Sequence, residues 1–225
     1  MRTRTEDFTM AQIRSGGLET KVWDRGDAEM AIALVREQLN RALAYKVRYD
    51  ADKHNICLAL IRYKGGESAA LAAYSNDSAI PESIRLGLNL IPDLYAYMPE
   101  AERFGCDGMA QYHTEPKLLN YLCAPPAIRQ LAIHKHLPKN PVYRSILRDQ
   151  RSFATRQAQL LDRPLGDIVA VTLVTEIDCC TTCTEYSIKR FRWKCPDTPL
   201  HTIELGKDPG AGVQSQYAKV KITRT

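Results

Sequence analysis

The sequence predicts a single α/β domain, in which helices alternate with strands around one sheet. Three observations lead to this class. Residues 27–47 place apolar side chains at helical spacing, two apolar runs flank Gly65 and Gly66 as in a β-hairpin, and the β-branched run 168–174 is typical of a buried central strand. The 225 residues, 44% of them hydrophobic, suffice for one sizeable core.

The first helix is predicted to begin at Asp27, which we interpret as its N-cap. A buried stripe along it consists of Ile32, Val35, Leu39, Leu43 and Val47. A polar face, predicted to meet solvent, consists of Arg36, Glu37, Asn40 and Arg41. Residues 1–26 show no clear period and are interpreted as an N-terminal extension, which leaves 27–225 as the domain.

The remaining elements follow from apolar runs and their breakers. The hairpin strands are predicted at 56–61 and 68–74, joined by a type I′ turn at the two glycines. The prolines of 80–102 allow one or two short helices, and further helices are predicted at 116–122 and 180–192. Strands at 200–205 and 216–223 are separated by a short Gly-rich turn, which predicts an antiparallel C-terminal hairpin.

The sequence argues against three classes of protein: those that span a membrane, those with a secretory signal and small disulfide scaffolds. No stretch approaches the roughly 18 to 20 apolar residues of a membrane span, and the N-terminus lacks the apolar run of a secretory signal. Seven cysteines in a chain of this size do not resemble a small disulfide scaffold. Three of them, Cys179, Cys180 and Cys183, lie within five positions, which favours metal or thiol chemistry in a reducing compartment such as the cytoplasm.

The first motif is His113-Thr114-Glu115-Pro116. Proline favours the first position of a helix and pushes the preceding residue toward extended geometry. His113 and Glu115 are therefore expected just before the helix, where side chains two residues apart point the same way. An imidazole and a carboxylate would then converge on one point. The alternative is that the two side chains are exposed to solvent and have no function, which is common for such a pair at a helix start.

The second motif, Cys180-Thr181-Thr182-Cys183, follows the buried strand and opens a helix. Its spacing puts both sulfurs on one helical face, and a helix N-terminus stabilises the thiolates that bind metal. Together with the histidine it provides three ligands and leaves a fourth zinc position for water. A structural zinc would instead need a fourth protein ligand, for which the candidates are Cys179, Cys195 and His201.

Both motifs resemble those of the cytidine deaminase-like superfamily, whose signature is H-x-E followed by P-C-x-x-C. The resemblance extends over 27–223 in element order, with Cys179 where the family usually has proline. It implies a three-layer fold with a mixed central sheet, zinc held by His113, Cys180 and Cys183, and Glu115 as the proton shuttle. The predicted C-terminal hairpin resembles the branch that holds free cytidine deaminases and bacterial toxin-type enzymes.

A basic insertion at about 124–166 indicates the substrate. Between Pro125 and Leu165, eight basic side chains oppose two acidic ones, a net +6 where the whole chain carries +5. A helix over 142–161 would align several of its arginines, and aromatic side chains among them can stack on unpaired bases. The candidate nucleic-acid-binding residues are Tyr143, Arg144, Arg148, Arg151 and Arg156. A solvated helical face is the plainer alternative.

These observations predict a zinc-dependent deaminase acting on cytosine in nucleic acid, single-stranded DNA before RNA. By resemblance, a toxin or effector role is implied, with delivery into a target cell's cytoplasm and an inhibitory partner protein. Two alternatives stay open: deamination of a free nucleoside or other small molecule, and a zinc-stabilised binding module without catalysis.

Overall fold

The computed structural model describes residues 24–43, 54–75, 90–91, 94–105, 113–129 and 165–206. Two helices in that part of the chain are α1 (Arg25–Leu43) and α2 (Thr114–Cys123). A third, α3, covers 181–194 and is π-helical over Thr184–Lys189. The strands are β1 (Ile56–Tyr63), β2 (Ser68–Tyr74), β3 (Ile168–Thr175) and β4 (Leu200–Glu204). Single 3₁₀ turns occur at Tyr95–Tyr97, Glu100–Glu102 and Leu165–Asp167.

The four strands form one sheet in the order β2-β1-β3-β4. Strand β1 is antiparallel to β2 and β3, whereas β3 and β4 run parallel. The predicted α/β class with a mixed sheet is therefore confirmed. Because Cys57 pairs with Thr175, the start of β1 and the end of β3 lie at the same edge of the sheet.

Both faces of the sheet are covered by helices. Alternate side chains of β1 point to opposite faces, as the two-residue repeat of a strand requires. One set, with Ala59 and Ile61, packs with α2 and α3, and the other, with Leu58 and Leu60, packs with α1. Nearly all of β1 and β2 is buried, which explains why both read as continuous apolar runs.

Helix α1 differs from the prediction at its start. It begins at Arg25, and Asp24 rather than Asp27 caps it: the Asp27 backbone N–H donates to Asp24 Oδ1 at 2.9 Å. Asp27 lies in the first turn and accepts in return from the Asp24 backbone N–H at 3.1 Å. This reciprocal pair satisfies two of the four N–H groups that a helix start leaves free.

The polar face predicted for α1 is also wrong at one position. Arg36 is buried, and its guanidinium forms an ion pair with Glu176 and donates to the His54 carbonyl at 2.6 Å. Glu176 comes from the segment after β3, so the partner that removes Arg36 from solvent is 140 residues away. The apolar stripe of Ile32, Val35 and Leu39 is buried as predicted.

The hairpin of β1 and β2 is confirmed, with a different turn. Residues 64–67 connect the strands, and Gly66, at φ +84°, is the one glycine among them with a left-handed backbone. A two-residue type I′ turn would need positive φ at both glycines. The four-residue connection relieves Gly65 of that requirement.

Several sequence predictions fall outside the described residues. They are the extension up to residue 23, the end of the first helix at Val47, the central part of the basic insertion (130–164) and the last strand at 216–223, and with it the C-terminal hairpin. Within the described ranges, no helix is long and apolar enough to cross a membrane.

Candidate metal centre

The start of α2 positions the first motif. His113 is the N-cap, with extended backbone at φ −82° and ψ 148°, and the helix begins at Thr114. Glu115 and Pro116 thus lie inside the first turn, so the expectation that Glu115 precedes the helix is wrong. Proline is tolerated there because the first four N–H groups of a helix have no intrahelical partner, and its missing N–H breaks no bond.

The loop after β3 and the first turn of α3 position the second motif. Cys180 is the N-cap of α3, and its Sγ accepts a hydrogen bond from the Cys183 backbone N–H at 3.4 Å. Cys183 follows in the first turn and is almost fully buried. Because a capping side chain folds back over the first turn, both sulfurs face the same point.

The two motifs converge on one small volume. His113 Nδ1 lies 3.1 Å from Cys183 Sγ and 3.3 Å from Cys180 Sγ. The ligand atoms of these three residues all lie within 4.8 Å of one another, and they are the only such group of three or more potential ligands in the described ranges. This His/Cys/Cys group could hold a metal ion.

The spacing of the group fits a zinc ion. Zinc bonds of about 2.3 Å to sulfur and about 2.05 Å to nitrogen, at a tetrahedral angle, hold nitrogen and sulfur about 3.6 Å apart. The observed nitrogen–sulfur distances of 3.1 and 3.3 Å need to widen by only a few tenths of an ångström. Imidazole with two thiolates is also a donor set that suits zinc.

Hydrogen bonds among the three side chains shift their pKa values. A hydrogen bond from Cys183, with a further one from His113, lowers the pKa of the Cys180 thiol to about 4. The same contact and burial raise the pKa of Cys183, while the hydrogen bond to Cys180 raises the pKa of His113. These hydrogen bonds therefore favour the thiolate of Cys180, the form in which a cysteine binds a metal cation.

Glu115 lies beside the ligand group without belonging to it. The side chain is buried, at 2% exposure, and its Oε2 is 3.3 Å from Cys183 Sγ. Its other oxygen, Oε1, accepts from Thr175 Oγ1 at 3.0 Å and from Asn55 Nδ2 at 3.3 Å. One oxygen is thus fixed by neutral donors, and the other is directed at the ligands.

Asn55 and Thr175 are site residues that the sequence analysis missed. Asn55 also accepts from the Ile177 backbone N–H at 3.1 Å, which ties the start of β1 to the loop that leads to Cys180. Its amide further contacts Thr114 and Thr175. A lone asparagine before a strand looks like a turn residue, and Thr175 looks like part of the β-branched run, so neither carried a signal.

The other cysteines and histidine considered as ligands are not in the group. Cys179 is buried, with its Sγ 3.8 Å from Glu115 Oε1, and burial raises the pKa of its thiol well above the usual range. Cys195 is the C-cap of α3, and His201 lies on β4, and neither belongs to the ligand group. Among the described residues the group therefore has three members, not the four of a structural zinc site.

The predicted nucleic-acid-binding residues, Tyr143, Arg144, Arg148, Arg151 and Arg156, lie outside the described residues. Arg129, at the start of the same basic segment, is described and is buried. Its Nε donates to the Ala124 carbonyl at 2.9 Å, and its guanidinium lies over the Tyr121 ring. It therefore supports the end of α2 and does not contribute to a basic surface.

No similarity to a known protein supports an assignment of this site. Comparisons of the chain with protein-family models, with curated proteins and with solved structures gave no significant match. What can be said of function rests on the residues above and on the motifs that carry them.

Proposed function

We propose that the chain is a zinc-dependent hydrolytic deaminase that converts cytosine to uracil in nucleic acid, with single-stranded DNA favoured over RNA. One observation carries the proposal. A buried carboxylate, Glu115, lies 3.3 Å from a thiol of the His113, Cys180 and Cys183 group without being a member of it. Three ligands with an adjacent acid that does not coordinate is the arrangement that zinc deaminases use.

Zinc is the metal that this donor set favours. Soft thiolates disfavour magnesium and calcium, which take oxygen ligands, and three protein ligands leave a position open as in catalytic zinc sites. Bound zinc would supply a water acidic enough to lose its proton near neutral pH. A binding module held together by zinc would need a fourth protein ligand, which the described residues do not provide.

Glu115 is the group that moves protons. Its carboxylate would accept one proton from the attacking water and deliver it to the ring nitrogen, and would then move the second proton of that water, left on the new hydroxyl group of the pyrimidine, to the departing amine. One water is consumed and one ammonia released. Thr175 and Asn55 hold Oε1 in place, so that Oε2 stays directed toward the ligands. Burial of the side chain keeps bulk water from competing for these protons.

The choice of nucleic acid over a free nucleoside rests on the basic segment of the sequence, which has seven basic side chains between Pro125 and Leu165 besides the buried Arg129. A free nucleoside does not require such a segment, whereas a strand needs phosphate contacts on either side of the target base. The proposal also includes a toxin or effector role, with action in a target cell's cytoplasm and an inhibitory partner protein. This part rests only on the resemblance of the two motifs to those of the cytidine deaminase-like superfamily.

The test uses zinc-loaded full-length protein incubated with single- and double-stranded DNA, with RNA and with cytidine. Sequencing for C-to-U changes measures deamination of DNA and RNA, and an assay of released ammonia measures deamination of cytidine. We expect conversion in single-stranded DNA that disappears in Glu115→Gln. Faster turnover of cytidine than of any oligonucleotide would replace the proposal with a small-molecule deaminase. Zinc binding without turnover of any substrate would leave only the binding module.

A further inference from the structure

The carboxamide of Asn55 links the two segments that carry the metal ligands. Its Oδ1 accepts from the Ile177 backbone N–H at 3.1 Å, on the loop that leads to Cys180. Its Nδ2 donates to Thr114 Oγ1 at 2.8 Å, next to His113 at the start of α2. Since a backbone N–H can only donate, the oxygen of the amide must face Ile177 and its nitrogen must face α2. One side chain therefore bridges both parts of the ligand group.

The β1–β2 hairpin does not need this side chain. The Asn55 backbone N–H donates to Ser75 Oγ at 2.9 Å, and the Asn55 carbonyl accepts from the Ser75 backbone N–H at 3.1 Å. An asparagine that only shapes a turn bonds to backbone groups within a few positions of itself. The side-chain partners of Asn55 are instead 59 to 122 positions away. Its carboxamide therefore makes a tertiary contact and not a local turn.

Asn55 also supplies a hydrogen-bond donor to Glu115. Thr175 has one hydroxyl hydrogen and two acceptors within reach, the Ile177 carbonyl at 2.6 Å and Glu115 Oε1 at 3.0 Å. When that hydrogen is directed at the nearer carbonyl, Asn55 Nδ2, at 3.3 Å, is the nitrogen donor that remains for Oε1. The amide nitrogen carries two hydrogens, so Asn55 can donate to Thr114 and Glu115 together.

We propose that Asn55 is a positioning residue that holds His113 and Cys180 at metal-binding distance by joining the start of α2 to the loop after β3. The proposal rests on the zinc site of the proposed function and not on its substrate. Without the bridge, the loop loses one of its contacts with α2, and metal binding has to order it. The free energy spent on that ordering weakens zinc binding, as it does when other hydrogen-bonded partners around a metal are removed.

The bridge predicts a graded loss of zinc affinity. Asn55→Ala removes it entirely and should lower zinc affinity by about 10- to 100-fold, the range for loss of a hydrogen-bonded partner around a metal site. Thr114→Val removes only the acceptor on α2 and should have a smaller effect in the same direction, whereas Thr114→Ser retains the hydroxyl and should bind zinc like wild type. Packing alone would give the opposite order, since valine keeps the shape of threonine and serine lacks its methyl group.

Asn120→Ala is the matched control. Asn120 also bridges two segments with its carboxamide, which accepts from the Phe104 backbone N–H at 2.8 Å and donates to the Phe104 carbonyl at 3.0 Å. It lies on the same helix as Thr114, roughly 10 Å along the axis from His113 at 1.5 Å per residue. Asn120→Ala should lower the melting temperature but leave zinc affinity near that of wild type, because it releases no segment that carries a ligand.

The test titrates zinc-loaded, full-length protein with a colorimetric chelator, which measures zinc affinity without any substrate, and records melting curves of the same samples. We expect zinc binding to be weaker in Asn55→Ala than in wild type and Asn120→Ala. Zinc affinity in Asn55→Ala equal to that of wild type would overturn the proposal. An equal loss in Asn120→Ala would also overturn it, since the loss would then follow from lower stability.

The two Thr114 variants decide the question if Asn55→Ala folds poorly. Zinc binding as weak in Thr114→Ser as in Thr114→Val, or weaker, would overturn the bridge. A wild-type chain that binds no zinc would overturn the metal centre and this proposal together. Zinc affinities in the expected order, without turnover of any substrate, would overturn the deaminase alone.

Discussion

The three cysteines within residues 179–183 differ in burial and in hydrogen bonding. Cys180 caps a helix and is partly exposed, Cys183 is buried against Glu115, and Cys179 is buried with its sulfur outside the ligand group. The spacing of Cys180 and Cys183 was enough to choose these two, because three positions along a helix return to the same face. Burial and proton sharing at each thiol required the folded chain.

Metal retention tests that choice of cysteines. Cys183→Ser should lose most bound zinc, since a neutral hydroxyl is a poor substitute for a thiolate, and its melting temperature should fall as metal binding no longer stabilises the fold. Cys179→Ser is the matched control and should retain about one zinc per chain. Elemental analysis of the purified proteins measures both. An empty site in Cys179→Ser would mean that the ligands are misassigned.

The role of Glu115 is tested by a substitution that preserves its shape. Glu115→Gln retains the contacts of Oε1 with Thr175 and Asn55 but cannot accept a proton. Zinc content and melting temperature should stay near wild type, while turnover should fall by about 10²- to 10⁴-fold, the range for loss of a general acid–base group. Loss of zinc in this variant would make Glu115 a ligand, and undiminished turnover would remove it from the reaction.

The reactivity of Cys195 should follow its lowered pKa. Only the thiolate reacts with iodoacetamide, so alkylation should rise with pH and reach half its maximum near pH 7, not near the ordinary 9.0. Cys123→Ala removes the thiol that contributes most to the lowered pKa of Cys195 and should move the midpoint upward. Peptide-resolved mass spectrometry of zinc-loaded protein gives the profile. A midpoint near 9 in the wild type would contradict the lowered pKa.

Among the secondary-structure elements, those defined by local pattern were predicted well. The hairpin, strand β3 and the helix after it follow from apolar runs and turn residues that lie within a few positions of one another. What failed depends on distant partners. Arg36 fits the polar face of α1 by periodicity, yet Glu176 draws it into the interior. Asn55 likewise joins the site through contacts with residues 59 to 122 positions away.

The Arg36–Glu176 pair should contribute strongly to the docking of α1. Arg36→Met leaves a buried carboxylate without its partner and is expected to lower the free energy of unfolding by about 3 to 5 kcal/mol. Arg41→Met is the matched control on the same helix, because Arg41 pairs with Glu37 in solvent and such pairs contribute at most about 1 kcal/mol. Urea unfolding measures both. Equal changes in the free energy of unfolding in the two variants would mean that the buried ion pair stabilises the fold no more than the exposed one.

At the scale of the whole molecule, the candidate site is built at one edge of the sheet. The end of β3 and the start of β1 meet there, so Thr175 and Asn55 reach Glu115, and the loop after β3 brings Cys180 and Cys183 to His113. The far end of β1, eight residues away, carries the exposed turn with Lys64. An extended strand of that length separates the two ends by roughly 26 Å.

Reversing charges in the basic segment tests whether it binds the substrate. Arg148→Glu with Arg151→Glu should weaken binding of single-stranded oligonucleotides strongly and reduce the salt dependence by about one unit of slope per lost phosphate contact. Zinc content should not change, since zinc is bound by Cys, His and carboxylate side chains and not by arginine. Arg41→Glu also reverses a charge, but on α1, which packs on the opposite face of the sheet from α2, and should leave the slope near that of wild type. Fluorescence anisotropy titrations over a range of salt concentrations measure all three proteins. If the double variant binds and deaminates oligonucleotides as well as wild type, the segment is a solvated face, and the substrate must be sought among free nucleosides.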